Sequence, residues 1–244
     1  INGEGEIFGV SPGGCVYCGI VLTVDKTDND SSKPARLIIN GGHIVGQCYG
    51  ISGNGSNASR GNTECIINGG LIEASSIIAG EDNCGYYQPQ FNSKMIFNDG
   101  VIRGRSAIEI RSGDFTMNGG IAEAFGFANE CMIKNNNGPT SKGVAVAIAQ
   151  HTTKQPINVI INNGQLIGEC PFFEGNPMGN DELSIATVKA EINGGSFRII
   201  GNGIESFHAA DLTEFVKGGE FIHEFTYKKY LDPEKFDVDN WLSI

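Results

Sequence analysis

The stretch Ile67-Asn68-Gly69-Gly70-Leu71-Ile72-Glu73-Ala74 decides how the chain must be read, because close copies of it recur from end to end. They are Ile39-Asn40-Gly41-Gly42, Phe97-Asn98-Asp99-Gly100, Met117-Asn118-Gly119-Gly120, Ile161-Asn162-Asn163-Gly164, Ile192-Asn193-Gly194-Gly195 and the diverged Val216-Lys217-Gly218-Gly219. Ile1-Asn2-Gly3 starts an earlier copy. A recurring motif of this kind marks stacked supersecondary units. Spacings counted between the Asn positions, with Lys217 in the last copy, are 38, 28, 30, 20, 44, 31 and 24 residues. The shortest unit is therefore about 20 residues and the rest are that unit plus insertions; the interval of 44 residues has room for two units.

Apolar residues alternate on both sides of the motif, the period of a strand with one buried face. One residue before the Asn stand Ile39, Ile67, Phe97, Met117, Ile161, Ile192 and Val216; three before it stand Leu37, Cys65, Met95, Phe115, Val159 and Ala190. Four residues after it stand Ile44, Ile72, Ile102, Ala122, Leu166, Phe197 and Phe221, and two further on come the small residues Gly46, Ala74, Gly104, Ala124 and Gly168. These columns are expected to face inward, the last through a tight corner. Asn-Gly supplies a sharp turn of positive φ, and Asn side chains of successive copies can hydrogen-bond one another. Each unit carries a further apolar strand, as in Gly19–Val24, Ala107–Ile110, Gly143–Ile148 and Leu183–Val188. Three short strands per turn predict a coil that stacks on its own copies, with rungs ~4.8 Å apart, and not a series of hairpins.

Composition agrees with strands. The chain has 244 residues, 35 of them Gly and 30 of them Ile, with 40% hydrophobic residues and a single Trp, and β-branched side chains suit a pleated surface. No apolar run is long enough to cross a bilayer, and a net charge of −11 repels phosphate backbones, so neither membrane insertion nor nucleic-acid binding is expected. Ile1 in place of an initiator Met is read as the mark of a processed or excised piece. Seven Cys is an odd count, which leaves at least one unpaired, and Cys15-Val-Tyr-Cys18 lacks the second pair that a zinc site needs.

The columns resemble those of a right-handed parallel β-helix of the pectin-lyase-like class. More narrowly, the repeated Ile-Asn-Gly-Gly followed by Ile or Phe is similar to surface repeat proteins of gut bacteria and to β-helical phage receptor-binding proteins. The Gly218-Gly219-Glu220-Phe221 copy with Tyr227, Tyr230 and Leu231 behind it matches the end of such arrays. The resemblance implies an all-β, right-handed parallel β-helix of about eight rungs over residues 1–224. Residues 225–244, with Tyr227, Tyr230, Leu231, Phe236, Trp241 and Leu242, are expected to cap its end; Trp241 is the candidate for an oligomer contact. It further implies an extracellular, cell-surface or virion setting and a part in adhesion or receptor binding, as in a phage tail, with a cell-surface polysaccharide or glycan receptor as partner. A homo-oligomer is compatible with this, a trimer in the case of a phage spike.

Insertions are expected at residues 24–35, 52–64, 79–94, 134–143 and 171–182, where function gathers in a solenoid. Gly85 to Asn92, with Tyr86, Tyr87 and Gln88, is read as a loop whose rings and amides either suit sugars or fold back over the end of the core; Phe172 and Phe173 are read as buried. Five residues after the Asn an outward column runs Val45, Glu73, Arg103, Glu123, Ile167, Arg198 and Ile222, and two further on stand Arg105 and Phe125. Glu73, Arg103 and Glu123 form either a plain charge ladder or, with Arg105 and Phe125, a groove that grips anionic or hydroxylated glycan. No catalytic residue, metal site or cofactor is expected. Glu73 and Glu123 would lie about two rungs apart, near the upper end of the range for an inverting glycosidase. Arg103 between them would lower both pKa values, where a general acid needs one raised. A polysaccharide hydrolase or lyase is therefore the alternative, and a structural stalk of a spike the next. The Asp25 to Asp30 run, the possible His208–Asp211 pair and the other His, His43, His151 and His223, carry little.

Overall fold

The computed structural model describes residues 1–9, 18–23, 33–54, 61–76, 83–125, 131–135, 138–201, 207–222 and 227–237. Cys15, the Asp25 to Asp30 run, His223, Trp241 and Leu242 lie outside these. The chain is an all-β parallel solenoid with three sheets, of eight, seven and six strands, and every strand pair in them is parallel. The turn without insertions shows the plan. Ser93–Phe97 lies in the six-stranded sheet C, Val101–Gly104 in the eight-stranded sheet A and Ser106–Ile110 in the seven-stranded sheet B, after which Gly113–Met117 re-enters sheet C directly on top of Ser93–Phe97.

The motif sits at the corner from sheet C to sheet A. The Asn residues of successive turns form a chain in which each side-chain amide donates to the amide oxygen one turn earlier: Asn40 to Asn2, Asn68 to Asn40, Asn98 to Asn68, Asn118 to Asn98, Asn162 to Asn118 and Asn193 to Asn162, at 2.6–2.9 Å. Asn162 bonds Asn118 directly, so the 44-residue interval is one turn with a long insertion and not two. Positive φ falls on the second residue after the Asn, as at Gly70 (96°) and Gly100 (105°). A Cβ there would come within 2.7 Å and 2.6 Å, respectively, of the carbonyl of the turn below. The intervening position tolerates Asp99 and Asn163, whose side-chain oxygens accept from the next backbone N–H at 2.8 and 2.9 Å.

The expected inward columns form the core. Ile39, Ile67, Phe97, Met117, Ile161 and Ile192 are fully buried, as are Cys65, Met95, Phe115 and Val159, with Ile72, Ile102, Ala122 and Leu166 from sheet A. Sheet B closes the core with the column Ile20, Ile51, Tyr86, Ile108, Val146 and Phe172. The small column fits its corner: a Cβ on Gly46 would lie 1.7 Å from the Tyr49 carbonyl.

At the C-terminal end Phe172, Phe197, Phe207, Phe215, Phe221, Tyr227 and Tyr230 stack edge to face and face to face. The Tyr230 hydroxyl donates to the Ala209 carbonyl and accepts from the Ala209 N–H, both at 2.9 Å. Leu231 bridges Val216, which bridges Ile192, so this segment lies across the end of sheet C.

Two loop expectations are corrected. Residues 84–88 and 93–97 are strands, Cys84–Gln88 and Ser93–Phe97, and the insertion of that turn precedes them. Residues 170–175 are the strand Cys170–Gly175, with Phe172 and Phe173 buried in it as expected.

Candidate functional site

The outer face of sheet A carries two parallel columns of side chains. One runs Phe8, Val45, Glu73, Arg103, Glu123, Ile167 and Arg198, in the register read from the sequence. The other, two residues nearer the Asn corner, runs Glu6, His43, Leu71, Val101, Ile121, Gln165, Ser196 and Glu220. In the first column Arg103 lies between Glu73 and Glu123 and closes on Glu73, with Nε and Nη2 both 2.5 Å from Oε2. The Arg103 side chain is 41% exposed, so this pair is worth only ~0–1 kcal/mol; it orients the guanidinium. Arg105 and Phe125 occupy equivalent corner positions on adjacent rungs, the Phe125 N–H donating to the Gly104 carbonyl at 2.8 Å, and both are partly exposed.

The second column borders a groove of about 510 Å³ that runs along the solenoid axis beside the Asn chain. Ile121, Gln165, Ser196 and Glu220 form one side and Asp99, Asn163 and the motif glycines the other. Asp99 and Asn163 are fixed there by the backbone bonds that hold their turns. The groove therefore offers carboxylate, amide and hydroxyl groups, those of Asp99 and Asn163 held in place, over a floor of glycine backbone, with Gln165, Ser196 and Glu220 on successive rungs ~4.8 Å apart. Sequence reasoning missed it. Its signal was the switch from Leu71, Val101 and Ile121 to Gln165, Ser196 and Glu220 along a single column.

Tyr86, Tyr87 and Gln88 do not belong to an exposed loop. Tyr86 points into the core with its hydroxyl donating to Gln88 Oε1 at 3.0 Å, and the Gln88 amide donates to the Ser112 carbonyl at 2.8 Å. Burial pushes the Tyr86 hydroxyl well above its ordinary pKa and takes Tyr87 up too. All three are buried: Tyr86 and Gln88 because they face the core, and Tyr87, beside Glu109 on the outer face of sheet B, because that face is covered there.

That cover is anchored by a buried ion pair. Glu109, on the outer face of sheet B, accepts from the Thr140 N–H and hydroxyl and from the Ser141 N–H and hydroxyl, at 2.6–2.9 Å. Arg111 Nη1 donates to the Gly138 carbonyl at 2.8 Å, the Asn135 carbonyl at 3.2 Å and the Tyr87 hydroxyl at 3.1 Å, and Arg111 Nε lies 3.9 Å from Glu109. Among the described residues the donors to this carboxylate are Thr140 and Ser141 of the cover, so the pair is a clasp that holds the cover down.

The histidines are dispersed. His43 stands 3.5 Å from the Glu6 carboxylate, His151 Nδ1 accepts from the Thr153 N–H at 3.2 Å, and His208 stacks on Phe173. Asp211 turns its N–H to Glu174 Oε2. Burial pushes the Cys65 thiol up to about 12 and the Cys18 thiol up to about 11. Among the described residues no group of three or more His, Cys, Asp or Glu is arranged to hold a metal ion. No protein-family model matches the chain, and neither the curated proteins nor the solved structures compared with it give a match.

Proposed function

We propose that this chain is a non-catalytic recognition or adhesion module that holds a cell-surface glycan along the outer face of sheet A. The observation that carries the reading is the axial groove lined by Asp99, Asn163, Gln165, Ser196 and Glu220, with Glu73, Arg103 and Glu123 in the neighbouring column of the same face and Arg105 and Phe125 at the corner beyond it. Sugar hydroxyls both donate and accept, and a set of carboxylates, amides and a hydroxyl answers both demands. A polymer lying along the axis meets a polar group on each of three successive rungs, Gln165, Ser196 and Glu220, so weak contacts add. The two groove carboxylates, together with an Arg103 engaged by Glu73, favour a neutral or amine-bearing chain over a uronate-rich one. The Ile-Asn-Gly-Gly resemblance supports the same use on a gut bacterial surface or a phage tail, outside the cell, with residues 225–244 as the cap.

Incubation with a panel of polysaccharides tests this. Retention without released reducing ends or unsaturated products is expected, and Gln165→Ala with Ser196→Ala, or Arg103→Ala with Arg105→Ala, should weaken retention severalfold while the thermal transition stays in place. Cleavage of any polymer would replace the binding reading with an enzymatic one, and failure to retain any member of the panel would leave the stalk.

A further inference from the structure

We propose that the outer face of sheet C is a self-association surface on which a second copy of this chain docks, its solenoid axis antiparallel to the first. The inference is independent of the glycan reading, which concerns sheet A.

Sheet C is the most regular face of the molecule. Its six strands all have five residues, stacked without a break in register. Two outward columns result. One is apolar and β-branched through Ile38, Ile66, Ile96, Thr116 and Ile160, with Ile38 exposed and the others partly so. The column beside it is Arg36, Glu64, Lys94, Asp114, Asn158 and Lys189. Over its first four rungs the charge alternates strictly, plus, minus, plus, minus.

Arg36 Nε closes on Glu64 Oε2 at 2.5 Å within the column, and the same alternation is self-complementary when its order is reversed, which fits a second copy as the occupant. In a face-to-face dimer whose two-fold axis lies in the interface parallel to the strands, each column meets its own copy with the rung order reversed. Reversal turns plus, minus, plus, minus into its complement. With the axis between the Glu64 and Lys94 rungs, Arg36 faces Asp114 of the second copy and Glu64 faces Lys94, each twice. The isoleucines follow, Ile66 opposite Ile96 and Ile38 opposite Thr116, at the ~10 Å separation of packed sheets. The next register, centred between Lys94 and Asp114, sets Arg36 against Lys189 and is repulsive at both ends. Four rungs of five residues cover ~19 Å by ~16 Å. That is less than the ~800 Å² per partner of a standard interface, so the dimer is weak and forms where copies are crowded, as on a surface array.

Sedimentation velocity of the full chain over a wide concentration range tests the proposal, with circular dichroism melts to verify the fold of each variant. Self-association of the wild-type chain is expected. Glu64→Lys and Lys94→Glu, each of which brings two like-charged pairs together, should weaken it about tenfold or more. The double variant E64K/K94E restores opposite charges across the interface, a lysine at position 64 facing a glutamate at position 94, and should associate like wild type, and an equimolar mixture of the two single variants should associate more tightly than either alone. A wild-type chain that stays monomeric throughout, single variants that associate as wild type does, or a mixture no tighter than its components would overturn the proposal; glycan retention is not expected to change in any of these variants.

Discussion

Gly70 stands at φ 96° with the Gly42 carbonyl 2.7 Å from where a Cβ would be. Gly70→Ala should therefore cost at least about 2 kcal/mol, from the left-handed backbone and from crowding against an immovable neighbour, as measured by denaturant unfolding. Gly69, whose would-be Cβ lies 3.2 Å from the Asn40 carbonyl and whose equivalents are Asp99 and Asn163, should tolerate Asp far better. The recurrence of Asn-Gly-Gly displayed this corner in the sequence, but which glycine carries the positive φ emerged only from the backbone. Glu174 is the other residue with a measurable consequence. It is buried beside the end of sheet B, and burial raises its carboxyl above the ordinary 4.5, opposed in part by the Asp211 N–H. A raised acid favours folding while protonated, so its contribution is present below pH 4.5 and is lost as pH rises through the folded-state value. Glu174→Gln keeps an acceptor for Asp211 and removes the titration. The variant should gain stability over wild type progressively as pH climbs through that window, which unfolding curves at a series of pH values would reveal.

Among elements, the cover over sheet B depends on Glu109. Glu109→Gln turns an N–H₂ toward donors and leaves the buried Arg111 without a counter-charge. It should cost about 3 kcal/mol, with residues 131–143 becoming the earliest site of limited proteolysis. The same cover explains why sheet B was harder to read than sheets A and C. Where one face meets water, alternation appears, and the inward columns through Ile67, Phe97 and Ile72 are visible as letters. Cys84–Gln88 and Cys170–Gly175 are buried along their whole length, so alternation vanishes. Tyr86, Tyr87 and Gln88 then look like a polar aromatic loop because their partners, the Ser112 and Gly138 carbonyls, are remote in sequence.

For the whole molecule, stability passes from turn to turn, and an open end leaves strand edges and apolar side chains unpaired. Removing residues 227–244 would strip Tyr230 and Leu231 from the cluster of Phe207, Phe215 and Phe221. The truncated chain should melt at a lower temperature and aggregate; the milder Tyr230→Phe, which deletes only the two bonds to Ala209, should cost about 1–2 kcal/mol. The amino-acid sequence by itself determined the period, the three strands per turn, the inward columns and the outward order Glu73, Arg103, Glu123. All of these follow from a corner of fixed chemistry repeated along the chain and from side chains that alternate across a strand. Only the tertiary structure decided where the insertions fold back, that Glu109 and Arg111 are sealed beneath one of them, and that Asp99, Asn163, Gln165, Ser196 and Glu220 share a groove. Burial and proximity of that kind come from stacking turns up to 44 residues apart, a property of the assembled coil that no single repeat contains.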